Sequence, residues 1–259
     1  MIRKALLPVI LLICLSTNAY ALSLAKENLW TNPLTYILIS AVILALGSII
    51  VLQTSIGLGP TQKKMIFWIL VGPVIAATLF MAIHTLYENT ISETGGPVHW
   101  HMDYQVWACG ERLDLVNPRG LNNKIGTPVL HEHNDDRIHV EGTLLKFSEA
   151  SLGKFFNVIG GELTDSSLSY PVVEKGILSY KNGDLCGDGT QGTLKVYVNG
   201  KKIDDPASYV MAPYTLVPPG DCAIILFDNT NSDTISELCE SWEAKDWDYS
   251  NFEQKRGGK

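Results

Sequence analysis

Five of the six histidines in this chain fall between positions 99 and 139. They sit in His99-Trp100-His101, in His131-Glu132-His133, and at His139 six residues further on. Side chains two apart on an extended strand leave the same side of it. Each His-x-His pair, if extended, therefore projects two imidazoles together, and folding the two segments onto one another gathers four or five. Neutral imidazole is the usual ligand for zinc and copper, and carboxylates complete or orient such shells. The candidate ligands are His99, His101, His131, His133 and His139, with Asp103, Asp135, Asp136 and Glu141 as ligands or orienting partners. The competing reading is a set of histidines that only hydrogen-bond within a polar sheet face.

Catalysis has thinner support. Glu132 could act as general base on a metal-bound water, yet in a strand it alternates away from His131 and His133. The helical HExxH of zinc peptidases is absent, as are G-x-S-x-G, a P-loop and GxGxxG. No catalytic residue is assigned, and a metal-dependent hydrolase or oxidase stands as the alternative to a binding module.

The elements that must hold these residues are legible from periodicity. Val98 to Cys109 alternates as a strand, with His99, His101, Asp103 and Gln105 on one side and Trp100, Met102, Tyr104 and Val106 on the other. A turn at Cys109-Gly110 leads to a short strand over Arg112 to Val116, and Asn117 to Pro128 reads as loop. Arg137 to Leu145 is the next strand, with Ile138 and Val140 opposite His139 and Glu141. Leu152, Phe155, Phe156 and Ile159 then follow helical spacing over Ser148 to Gly161, with Ser148 as the expected N-cap. Thr193 to Val198, Asn199-Gly200 and Lys201 to Ile203 form a hairpin, and Cys222 to Phe227 is a late strand. The expected fold is α+β, a mixed sheet carrying one packed helix, of β-grasp type in one version. It spans positions 91–239, with a charged tail over 240–259.

Composition divides the chain. Of its 27 acidic side chains 26 lie beyond Tyr87, against 15 of its 20 basic ones, a net of −11 for that part. Such a surface repels phosphate backbones and excludes nucleic acid as a partner. Before it come Met1 to Ala21, laid out as a secretory signal or a retained helix, and two uncharged apolar runs, 34–52 and 65–86. At 1.5 Å per residue these runs measure roughly 28 and 33 Å, the thickness of a hydrocarbon core, with Pro73 kinking the second. The connection from Gln53 to Lys64 carries Lys63 and Lys64 and no acid, which places it in the cytoplasm. The chain is thus expected in the cell membrane with everything after Tyr87 outside the cytoplasm. His84, in the last turn of the second run, reads as an interfacial histidine. Cys109, Cys186, Cys222 and Cys239 form an even set in an oxidising compartment. Of their three possible pairings, Cys109 with Cys186 and Cys222 with Cys239 is the one expected.

The same residues resemble an uncharacterised family of membrane-anchored or secreted bacterial and archaeal proteins. Its members carry an HWH segment ending in a Cys, an H-x-H-x-D-G-x-I-H segment, and a helix beginning near T-L-G or S-L-G. Here these are His99 to His101, Cys109, His131 to His139, and Ser151-Leu152-Gly153. A later Cys-Gly, Cys186-Gly187, also matches, and the resemblance so implies pairing Cys109 with Cys186. It covers roughly Val98 to Asp228. Where many relatives have a further histidine two residues after the last, this chain has Glu141. The resemblance implies a fold and a site, and no activity.

Together these features describe an anchored outer domain that binds a divalent transition metal, copper or zinc, through a histidine cluster. The alternative binding role is a protein-interaction module with structural histidines, its partner unknown.

Overall fold

The computed structural model describes residues 33–54, 59–118, 123–211, 220–236 and 239 of the 259. The expected signal segment and the charged tail lie outside the described residues. The chain divides into two compact units, before and after the Tyr87–Glu88 junction.

In the first unit, helix α1 (Pro33–Thr54) and helix α2 (Pro60–Ile91) correspond to the two apolar runs. Helix α2 is long and apolar enough to cross a membrane; in α1 the apolar stretch among the described residues, Thr35–Ile49, is shorter. The connection is shorter than expected: α2 opens at Pro60, whose fixed φ suits a first helical position, so Lys63 and Lys64 lie within its first two turns. Ser40 Oγ donates to the Pro73 carbonyl at 3.0 Å, and the Tyr36 and Phe80 rings lie 4.2 Å apart. Ile39, Val42, Leu46, Trp68, Leu79 and Ile83 face outward, so this pair is apolar on its exterior.

The second unit is built on β1 (Pro97–Ala108), the longest strand. One edge of β1 pairs with β2 (Glu111–Leu113) and β5 (Arg137–Thr143), both antiparallel, and the other pairs in parallel with β11 (Asp221–Asp228). Beyond β5 lie β4 (Leu130–Glu132) and β3 (Ile125–Gly126); beyond β11 lie β9 (Thr193–Val198) and β10 (Lys201–Lys202). The hairpin from β9 to β10 has Asn199 and Gly200 both at positive φ, 51° and 79°, as a two-residue turn of that composition demands. A separate three-stranded sheet follows the helix: β6 (Glu162–Leu163), β7 (Ser167–Val172) and β8 (Gly176–Lys181). The result is α+β with a large mixed sheet, larger than the sequence pattern foretold.

Helix α3 (Leu152–Val158) is shorter than its periodicity suggested. Residues Phe147–Ala150 form a 3₁₀ turn, and the N-cap is Ser151 rather than Ser148. Only Ser151 has the extended backbone (φ −83°, ψ 153°) that lets its Oγ accept from Lys154 N, at 3.2 Å. The core lies where α3 and the small sheet meet the even-numbered side of β1. Trp100, Met102, Tyr104 and Val106 bury there with Leu152, Phe155, Phe156, Leu168 and Tyr170. Disulfides join Cys109 to Cys186 and Cys222 to Cys239, the two pairings anticipated.

Phe155 is fully buried, and its ring meets Tyr104 edge-on at 5.3 Å and Phe156 at 5.7 Å. Phe155→Ala should therefore cost about 3–5 kcal/mol of stability, read as a lowered denaturant midpoint of the second unit's transition.

Candidate metal centre

The histidine face is produced by strand register. Antiparallel pairing sets His101 of β1 opposite His139 of β5, and His139 opposite His131 of β4. Three imidazoles on three adjacent strands thus form a row across the sheet, on the side away from α3. Two residue pairs further along, on the same face, His99 stands opposite Glu141. The alternation that sends Trp100, Met102, Ile138, Val140 and Leu130 into the core sends these polar residues to the other face. Gly126 makes room at the end of the row. It pairs with His131 at φ 115°, where an added Cβ would lie 2.5 Å from the Leu130 carbonyl.

His139 is the hub. Its ring centroid lies 4.6 Å from His101, 4.9 Å from His133, 5.5 Å from His131 and 6.5 Å from His99. The ligand atoms of His99, His101 and His139 all fall within 4.8 Å of one another, so these three residues could hold a metal ion; among the described residues theirs is the one such group. Carboxylates flank it. Asp135 Oδ2 is 3.1 Å from His139 Nε2, Glu141 Oε1 is 3.2 Å from His99 Nε2, and Glu141 Oε2 is 3.9 Å from His131 Nε2. The His133 Nδ1 bonds to the Asn123 carbonyl, which fixes that ring's orientation.

Burial is graded across the cluster. The His99 side chain is 57% exposed, that of His139 12% and that of His131 1%. Burial pushes the His101 imidazole down to about 4, and the neighbouring His139, His99 and Arg137 act in the same direction against Asp103. Burial likewise lowers His131, helped by Lys124 and opposed by Glu141. Burial alone would raise Asp135, but the His139 hydrogen bond and charge, with Arg137 beyond, hold it below the usual carboxylate range. The Nδ1 atoms of His101 and His131 are buried with no hydrogen-bond partner among the described residues. Both shifts favour the neutral form of these rings.

Two acidic candidates stand elsewhere. Asp103, in the next row of β1, accepts from Arg137 Nε at 2.5 Å and from its second nitrogen at 3.2 Å, so its carboxylate serves the guanidinium. Asp136 takes the Arg112 guanidinium at 2.6 Å. Glu132 points to the face opposite His131. Its Oε1 accepts from the backbone N–H groups of Asp135 and Asp136, at 2.7 and 3.2 Å, which closes the turn leading into β5. Burial raises its carboxyl above the usual range. That position removes it from any water held by the imidazoles. His84 belongs to the helical unit, its ring 5.7 Å from Phe80. Sequence reasoning missed Arg137 as the partner of Asp103; their shared face was readable, but the pairing register that sets them opposite was not.

No protein-family model, no curated protein and no solved structure matches this chain.

Two outcomes follow from this geometry. Between pH 6.5 and about 4 the unfolded chain takes up a proton at position 101 that the folded chain refuses. The stability tied to a neutral His101 is therefore complete above pH 6.5 and is lost as pH falls through that window; His101→Asn should flatten part of the slope in a urea-midpoint-against-pH series. Asp103→Asn leaves a largely buried guanidinium without its counter-charge and should cost about 3 kcal/mol, measured in the same unfolding assay at pH 7.

Proposed function

We propose that this protein is a membrane-anchored metal-binding module whose outer domain takes up a divalent transition metal, copper or zinc, through His99, His101 and His139. The observation that carries it is the convergence of three imidazoles from two neighbouring strands to within 4.8 Å, two of them largely buried. Imidazole nitrogens bond zinc at about 2.0–2.1 Å, so atoms at that mutual distance need only small side-chain rotations to share an ion. Asp135 then plays the orienting part that carboxylates play behind ligating histidines. Glu141 offers an oxygen for the fourth position. A nitrogen-rich, thiolate-free set favours zinc and copper over magnesium or calcium.

The membrane reading draws on the long apolar α2, the outward apolar residues of both helices, and the two disulfides, which persist in oxidising compartments. Lys63 and Lys64 sit at the positive end of the α2 dipole, where a cation gains nothing from helix electrostatics. Their placement suits orientation by the positive-inside rule instead, with both α1 and α2 spanning and the outer domain outside the cytoplasm. The central parallel pair β1–β11 with a helix across one face supports a β-grasp-like core, and the HWH-Cys pattern supports kinship with the uncharacterised family it resembles. The role is binding or sensing, since Glu132 is turned away from the imidazoles.

The test is metal analysis of the full chain purified in detergent. Wild type should retain stoichiometric copper or zinc after dialysis, and His101→Ala combined with His139→Ala should retain less. Equal, negligible metal in both would instead favour an interaction module with structural histidines. Protease added to intact cells should remove the part after Ile91, and the same part should resist in inverted vesicles.

A further inference from the structure

Three imidazoles and one carboxylate oxygen complete a four-coordinate shell, yet the cluster contains five imidazoles. His131 and His133 are left over, and neither is idle surface. His131 is fully buried with an unpartnered Nδ1, and His133 is half-buried with its own Nδ1 occupied by the Asn123 carbonyl, leaving its Nε2. Their rings lie 4.8 Å apart, and both lie beside His139.

Strand spacing makes one ion a poor fit to all five. β1 and β4 lie on opposite sides of β5, so about 9.5 Å separates their backbones. Ligand bonds of about 2.1 Å do not readily draw rings from both flanks onto one point that already has four donors. The Glu141 carboxylate is divided between the two groups. One oxygen faces His99 at 3.2 Å and the other faces His131 at 3.9 Å. One carboxylate thus reaches both groups of imidazoles, and an oxygen on each side is what a bridge between two ions about 3.5–4 Å apart requires.

We infer that the cluster holds two ions, the first among His99, His101 and His139 and the second between His131 and His133, with the Glu141 carboxylate bridging them. The inference rests on the metal-binding reading and goes beyond it. Charge permits it. Glu141 and Asp135 supply negative charge at the cluster, and the nearby Arg137 is already neutralised by Asp103; Lys124, beside His131, is the one cation close by among the described residues that the second ion must face. Glu141 can make the bridge because its carboxylate offers two donor oxygens.

The experiment loads the chelator-stripped full chain, in detergent, with Zn²⁺ or Cu²⁺ by equilibrium dialysis and counts ions per chain by mass spectrometry. Two ions are expected in wild type, one in His131→Ala with His133→Ala, and one in His99→Ala with His101→Ala. Each double variant keeps the other position, so its retained ion also reports a folded site. The Cu²⁺-loaded wild type should show a spin count well below two per chain by electron paramagnetic resonance, because a bridged pair couples; Glu141→Gln should raise it. That measurement needs no destabilised variant. A single ion in wild type, unchanged by the His131/His133 substitutions, overturns the inference and leaves the one-ion reading standing. No ion in wild type overturns both.

Discussion

The register between β1 and β5 is the constraint on which the second unit depends. Seven consecutive residue pairs, from Pro97–Thr143 to Asp103–Arg137, align the two strands antiparallel, and β11 locks the other edge of β1 over another seven. A slip of one residue would exchange the two faces of β1. It would drive His101 and Asp103 under α3 and turn Met102 and Tyr104, both almost wholly buried, out toward solvent. Hydrophobic burial on one face therefore fixes imidazole placement on the other. Nothing in the histidine row needs to be stable by itself, because packing behind it sets the positions.

The polar face also changes character along the sheet. Past the imidazole row, Asp103 and Arg137 pair, and Gln105 accepts from the Trp107 indole at 3.1 Å. On the neighbouring strands the same face becomes apolar, where Tyr197, Cys222, Ile224 and Cys239 cluster under the segment held by the Cys222–Cys239 disulfide. Asp103 lies in register with Cys222, so the ion pair marks the boundary between the two regimes. A buried ion pair contributes little net stability against an apolar substitute. Its effect here is to keep a guanidinium neutralised next to the imidazole row.

Much of this was legible in the sequence, for a definite physical reason. Period-two alternation runs from Val98 to Val106, so the division of that part of β1 into an imidazole face and a core face follows from the residues alone. The Asn199-Gly200 turn was equally plain, because few residue pairs accept two positive φ values. The small sheet β6–β7–β8 was not, since Pro171 inside β7 argues against a strand by local rules. It is tolerated there because no donor is needed from it, while its carbonyl accepts from Val116 N at 3.0 Å. The cap of α3 was misplaced for a similar reason. Ser148 and Ser151 are both competent side chains, and only the backbone geometry of the intervening 3₁₀ turn chooses between them. Which histidines meet was beyond pattern alone, because the gap between β1 and β5 says nothing of register.

The gradient of burial across the imidazoles ties these observations together. A buried polar atom left without a partner costs about 1–3 kcal/mol, and the fold carries two such nitrogens, on His101 and His131, in one row. Phenylalanine or leucine at those positions would remove that cost and fit the burial better. The chain instead keeps its most exposed imidazole, His99, and its half-exposed Glu141 at the rim, with the unpartnered nitrogens behind them. An arrangement of that kind is costly as a purely structural sheet face. It suits a site, because an ion entering past the rim would offset the desolvation that strand register has already imposed.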